Sequence, residues 1–187
     1  MLKKVIIPGL LGGLAFIVWT FLVNGIFGFK VRIDMKRIPA ERQVYEVLKE
    51  HITSPGRYAC NPELNSERRF PEGEPAFSIL YGGVGHEAAG SHMLTGLIIF
   101  LLAPIIAAWM LSQTSDKILN SYSRKVLFFT AIGLIIALFS NLTSFGIGDY
   151  PLSDAVILAV HNIALWTFIG LAAAWRIKPN QAADSNA

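Results

Sequence analysis

Four uncharged runs divide this chain: Val5–Phe29, Ala88–Ser115 with His92 inside it, Val126–Gly148 and Ala155–Trp175. Each holds at least 21 residues, enough for a helix to cross a hydrocarbon core roughly 30 Å thick at about 1.5 Å per residue. The pattern predicts an all-α membrane protein, a four-transmembrane-helix bundle whose surroundings are a lipid bilayer. Nearly all Lys, Arg, Asp and Glu fall between the runs.

Composition agrees. Hydrophobic residues make up 53% and charged residues 16%, against roughly 25% charge in a soluble domain. The net charge of +3 does not indicate nucleic acid, because the basic residues flank apolar segments and form no solvent-facing stripe. One cysteine, Cys60, excludes an internal disulfide and is expected to be a small buried apolar residue, with an intermolecular disulfide or reactive thiol as the alternative. Lys3 and Lys4 before an apolar run resemble a secretory signal, but the run continues for 25 residues, past the roughly 7–15 of a signal core. A retained helix is expected.

The four helices are placed at Val5–Gly28, His92–Leu111, Val126–Phe145 and Ser153–Trp175. Pro8 falls in a first turn, where a missing N–H costs little, and Pro104 is expected to kink the second helix. Trp109, Tyr122, Tyr150 and Trp175 lie near helix ends, as interfacial aromatics do. An even number of crossings puts both termini on one side. That side carries seven bases in short segments, Lys3, Lys4, Lys117, Arg124, Lys125, Arg176 and Lys178, while the 147–154 loop carries only Asp149 and Asp154. The bias favours cytoplasmic termini, in a plasma (inner) membrane if the source is bacterial.

The domain organisation expected is a first helix over 1–29, an extracytoplasmic insert over 30–91, helices two to four over 92–176 and a disordered tail over 177–187. Within the insert, Ala40–Ile52 reads as an amphipathic helix with Val44, Tyr45, Leu48 and Ile52 on one face. Arg57–Cys60 and Ala76–Tyr81 read as short strands of a hairpin, joined by a Pro- and Glu-rich loop. Helix plus hairpin is too small to bury its own core. It must rest on the bilayer, on the four helices or on a partner. No internal repeat of the kind found in many transporters is present.

Polar residues at one end of the helices form the candidate site. They are Asn24, then His86, Glu87 and His92, then Asn141, Thr143 and Ser144, then Asp149 and Asp154, with His161 and Asn162 about two turns into the fourth helix. His161 and Asn162 interrupt an apolar run, and polar groups placed in lipid are costly enough to need a reason. Interhelical packing, for instance His161 to Asn141 or Thr143, is one reason, and a functional ligand or proton group is another. His86, His92 and His161 are weak candidates for a metal or for haem, since the spacing matches no ligand signature such as H-E-x-x-H. No cofactor is therefore assigned. No nucleophile elbow or Cys–His pair is found, and Gly82-Gly83-x-Gly85 reads as a turn. Gly9-x3-Gly13 and Gly170-x3-Ala174 suggest that the first and fourth helices touch.

The function expected is non-enzymatic: an accessory protein, or one that presents its insert to a protein partner or to another copy. Transport of a small solute or ion by an oligomer, and a metal- or haem-binding redox role, are the alternatives.

Overall fold

The computed structural model describes residues 2–34, 36–67, 69, 72–75, 77–83, 85–144 and 151–179. The chain divides into two compact units, residues 1–35 with 93–187 and residues 36–92. Helix α1, Leu2–Trp19, runs on as a π-helical stretch, Thr20–Ile26. It is followed by α2, Phe29–Asp34, then α3, Glu41–His51, strands β1, Gly56–Cys60, and β2, Phe77–Tyr81, and α4, Gly85–Ser112. Next come α5, Asp116–Leu119, and α6, Tyr122–Ile136, extended by a second π-helical stretch, Ala137–Leu142. Helix α7, Leu152–Ala174, completes the described elements.

Four helical segments among the described residues are long and apolar enough to cross a membrane: Lys3–Ile26, Met93–Ser112, Tyr122–Leu142 and Leu152–Ala174. These match the four runs of the sequence to within a few residues at each end. In the larger unit α1 packs on both α4 and α7, and α6 packs on α7. Phe16 stacks on Phe100 with centroids 4.3 Å apart, and Trp19 leans on Phe168 at 5.5 Å. The buried core joins Ala107, Ala108 and Leu111 of α4 to Phe129 of α6 and to Ile169 and Ala173 of α7.

Close approach at the glycines explains that order. A Cβ at Gly9 would sit 2.5 Å from the Cα of Ile105, and one at Gly13 2.8 Å from the side chain of Leu101. A Cβ at Gly170 would sit 2.8 Å from Phe129. Helices α1 and α7 do touch, through Gly12 beside Ile169 and Ala173. Yet the two small-residue pairs read from the sequence face other neighbours, α4 for Gly9 and Gly13 and α6 for Gly170. Spacing marks a smooth face; which neighbour fills it depends on the whole packing.

Two side-chain-to-backbone hydrogen bonds close the end carrying the termini. There Lys125, itself buried, donates from Nζ to the Ile177 carbonyl at 2.7 Å, and the Tyr122 hydroxyl donates to the Leu171 carbonyl at 2.9 Å. Ile177, expected to open a disordered tail, is 1% exposed; residues 180–187 lie outside the described residues. At the other end no residue of Thr20–Ile26 is buried.

The smaller unit has a different character. Its strands pair antiparallel, Gly56 with Tyr81 through Cys60 with Phe77, and Arg57 Nε donates to Ser78 Oγ at 2.8 Å across the pair. Helix α3 covers most of the expected Ala40–Ile52. No described residue from Lys36 to Gly83 is buried. Cys60, expected in an apolar interior, is exposed; it ends β1 in a unit none of whose described residues up to Gly83 is buried.

Candidate functional site

The imidazole of His161 is the most buried polar side chain in the middle of the apolar bundle, at 9% exposure. It lies nine residues into α7 from Leu152, about 13–14 Å along the axis. The indole N–H of Trp19 donates to its Nε2 at 3.0 Å, which requires the neutral tautomer with the proton on Nδ1. Phe29 stacks on the ring, 4.8 Å between centroids at an interplanar angle of 16°.

The backbone explains how residues 19 and 29 reach one ring. Ten residues of straight α-helix would separate them by about 15 Å. Instead the chain widens into the π-helical stretch, where the Phe27 N–H donates to the Leu22 carbonyl at 3.1 Å. Gly28 then turns it back with φ +60°, a left-handed conformation that a residue with a Cβ adopts at a cost. Phe29 returns as the first residue of α2.

On the next residue of α7, Asn162 Nδ2 donates to Asn141 Oδ1 at 2.7 Å. Asn141 belongs to the second π-helical stretch and Asn24 to the first. Both widened segments thus carry an amide at the same end of the bundle, and π-bulges recur at functional places. Asn24 Oδ1 is buried with no hydrogen-bond partner among the described residues. Deeper, the hydroxyls of Thr130 and Thr167 meet at 2.9 Å.

The expected cluster is therefore partly assembled. Asn141 and Asn162 bond directly, whereas His161 bonds to Trp19 and not to Asn141 or Thr143. Thr143 is exposed and donates to the Phe139 carbonyl of its own helix at 2.5 Å. Ser144 does the same to Ser140 at 2.5 Å. Asp154 begins α7, where the Ser153 hydroxyl donates to its Oδ1 at 3.3 Å. His86, Glu87 and His92 lie on α4, and their side chains, like residue Asp149, fall outside the described residues.

Chemically, the site is a set of paired dipoles, with Asn24 Oδ1 the exception among the described residues. The lone pair on His161 Nε2 is taken by Trp19, so a metal ion or haem iron could use that nitrogen only by displacing the indole. Among the described residues, no three His, Cys, Asp or Glu side chains gather as ligands would. Trp19 was the residue missed. Its signal was present: a tryptophan inside the first apolar run, whose N–H must find an acceptor when buried.

No family model, curated protein or solved structure matches this chain.

Proposed function

We propose that this chain is a multi-pass membrane protein with both termini in the cytoplasm, acting without catalysis as an accessory subunit that presents residues 36–92 to a protein partner. The observation that carries the reading is the missing interior of that segment. None of its described residues up to Gly83 is buried, while Tyr45, Val47, Phe77 and Leu80 are each at least 57% exposed. Ordering a residue costs on the order of 1–2 kcal/mol in backbone entropy alone, and a segment burying so little recovers it poorly. A partner surface covering those side chains supplies the missing burial.

The interior of the bundle supports the same reading. His161, Asn141, Asn162, Thr130 and Thr167 bond to protein rather than lining an open path. Their role is to hold helices together, each pair contributing about 0.6–2 kcal/mol.

The test is cross-linking from Cys60, which is exposed and is the chain's single cysteine. A thiol-directed photo-crosslinker on the full chain in native membranes should capture a different protein. Leu80→Asp should reduce capture several-fold at unchanged membrane abundance. Adducts only to lipid or to further copies of this chain would overturn the proposal.

A second reading, passage of a small solute through an oligomer, is favoured by one observation, the buried and unpartnered Asn24 carbonyl. Flux through reconstituted vesicles that survives Trp19→Phe and falls with Asn24→Leu would support it. Vesicles no leakier than protein-free ones would remove it.

A further inference from the structure

The end of the bundle that carries the termini holds a small pocket of about 260 Å³ lined by Lys3, Lys4, Ile7, Pro8 and Arg176. Lys3 and Lys4 lie on the first turn of α1, and Arg176 follows α7, so two helices distant in sequence deliver three cations to one place. All three side chains are exposed, and among the described residues no acid forms an ion pair with any of them. Arg176 is held over the ring of its neighbour Trp175, its guanidinium carbon 4.8 Å from the centroid. A guanidinium resting on a ring keeps its N–H groups free to bond in its own plane. Its backbone N–H donates to the Ala173 carbonyl at 3.2 Å, which fixes the chain beneath it.

Three like charges around one pocket repel one another unless an anion joins them. A tetrahedral phosphate suits the set: the Arg176 fork can take two oxygens and the lysines act as point charges. The remaining wall is apolar. Ile7, 48% exposed, and the buried Pro8 supply it from the same helix as the lysines, so the pocket joins cationic and apolar residues. A free phosphate would meet only the cationic part of such a site. A phospholipid matches both parts, with its phosphate among the cations and its glycerol and upper acyl carbons against the exposed Ile7.

We infer that Lys3, Lys4 and Arg176 form a binding site for the headgroup phosphate of an anionic phospholipid in the leaflet facing the termini. The site rests on the reading of the chain as membrane-spanning, and it adds the lipid class and the residues that select it. Lys117, Arg124 and Lys178 face the same side in that reading but lie outside the pocket, and Arg124 is engaged with the Lys117 carbonyl at 3.1 Å.

The experiment is native mass spectrometry of the full chain in detergent, titrated separately with phosphatidylglycerol, phosphatidylcholine and inorganic phosphate. Phosphatidylglycerol should be retained in preference to phosphatidylcholine. Replacing all three residues, Lys3→Gln, Lys4→Gln and Arg176→Gln, should weaken retention by about fivefold per charge removed. The charge-matched control, Lys117→Gln, Arg124→Gln and Lys178→Gln, should weaken it far less. Arg176→Lys in the otherwise native chain should weaken retention less than Arg176→Gln, because the charge stays while the two-oxygen contact is lost, which separates a lost charge from a misfolded protein. Equal losses in the two triple variants would overturn the site, because the attraction would then be general charge. Displacement of phosphatidylglycerol by inorganic phosphate at similar concentration would also overturn it. A chain that remains in membranes after alkaline extraction but shows no lipid preference defeats this inference alone, whereas a chain released by that extraction defeats the membrane reading beneath it.

Discussion

Trp19 and His161 are joined by a 3.0 Å hydrogen bond that ties the first apolar helix to the fourth. It replaces two groups that are each expensive in an apolar surrounding, an indole N–H and an imidazole nitrogen, with one satisfied pair. Phe29 then closes over the imidazole face, which anchors the chain just before it leaves for residues 36–92.

Removing the donor while keeping the ring should expose that dependence. Trp19→Phe is expected to lower stability in detergent by about 1–2 kcal/mol, since His161 Nε2 loses its indole donor. His161→Leu combined with Trp19→Phe should cost less than the two single losses added together. Thermal unfolding of the four proteins completes the cycle, and additive losses would show that the bond is absent.

The Asn141–Asn162 pair gives a second, independent cycle. Asn162→Leu leaves Asn141 Oδ1 without its 2.7 Å donor, and the coupling between the two sites should be about 0.6–1.7 kcal/mol. Chemical denaturation in mixed micelles measures it. A coupling near zero would mean that the amides are each solvated separately.

Two glycines should behave in opposite ways. Gly9→Ala pushes a methyl against the backbone of Ile105, so α1 and α4 must separate, whereas a Cβ at Gly96 meets open space. Gly9→Ala should cost on the order of 1–3 kcal/mol. Gly96→Ala should be neutral or stabilising by up to about 1 kcal/mol, from helix propensity. Equal effects in thermal melts would contradict the packing order of the helices.

Lys125 closes the opposite end by donating to the Ile177 carbonyl. Lys125→Met retains the aliphatic stem and removes the donor, leaving a carbonyl beneath the buried Ile177 with no partner. Amide exchange around residues 175–178 should accelerate about tenfold, at a cost of about 1–2 kcal/mol. Unchanged protection there would mean that the terminus is held by packing alone.

Labelling of Cys60 tests the orientation. The thiol is exposed, so a membrane-impermeant maleimide added to intact cells should modify it fully if residues 36–92 lie outside. Modification only after permeabilisation would place that segment in the cytoplasm and reverse the proposed topology.

Much of this fold was legible before the structure because long apolar runs admit few solutions. The runs marked out four helices, and alternation at Phe77, Ile79 and Tyr81 marked the strand now paired with Gly56–Cys60. The widening of α1 and α6 into π-helix had no signature in residue spacing. The partners of His161 were hidden for a different reason. Depth along a helix was readable, but rotation about its axis was not, and rotation decides that Asn162 meets Asn141 while His161 turns to Trp19. Cys60 misled because burial was argued from residue type, in a segment where no described residue up to Gly83 is buried.

The central claim is that lipid surrounds the four apolar helices, Lys3–Ile26, Met93–Ser112, Tyr122–Leu142 and Leu152–Ala174. Alkaline carbonate extraction of membranes from cells expressing the full chain tests it most directly. Retention in the membrane pellet, with release only by detergent, is the expected result. Recovery of the folded chain in the aqueous supernatant would contradict it.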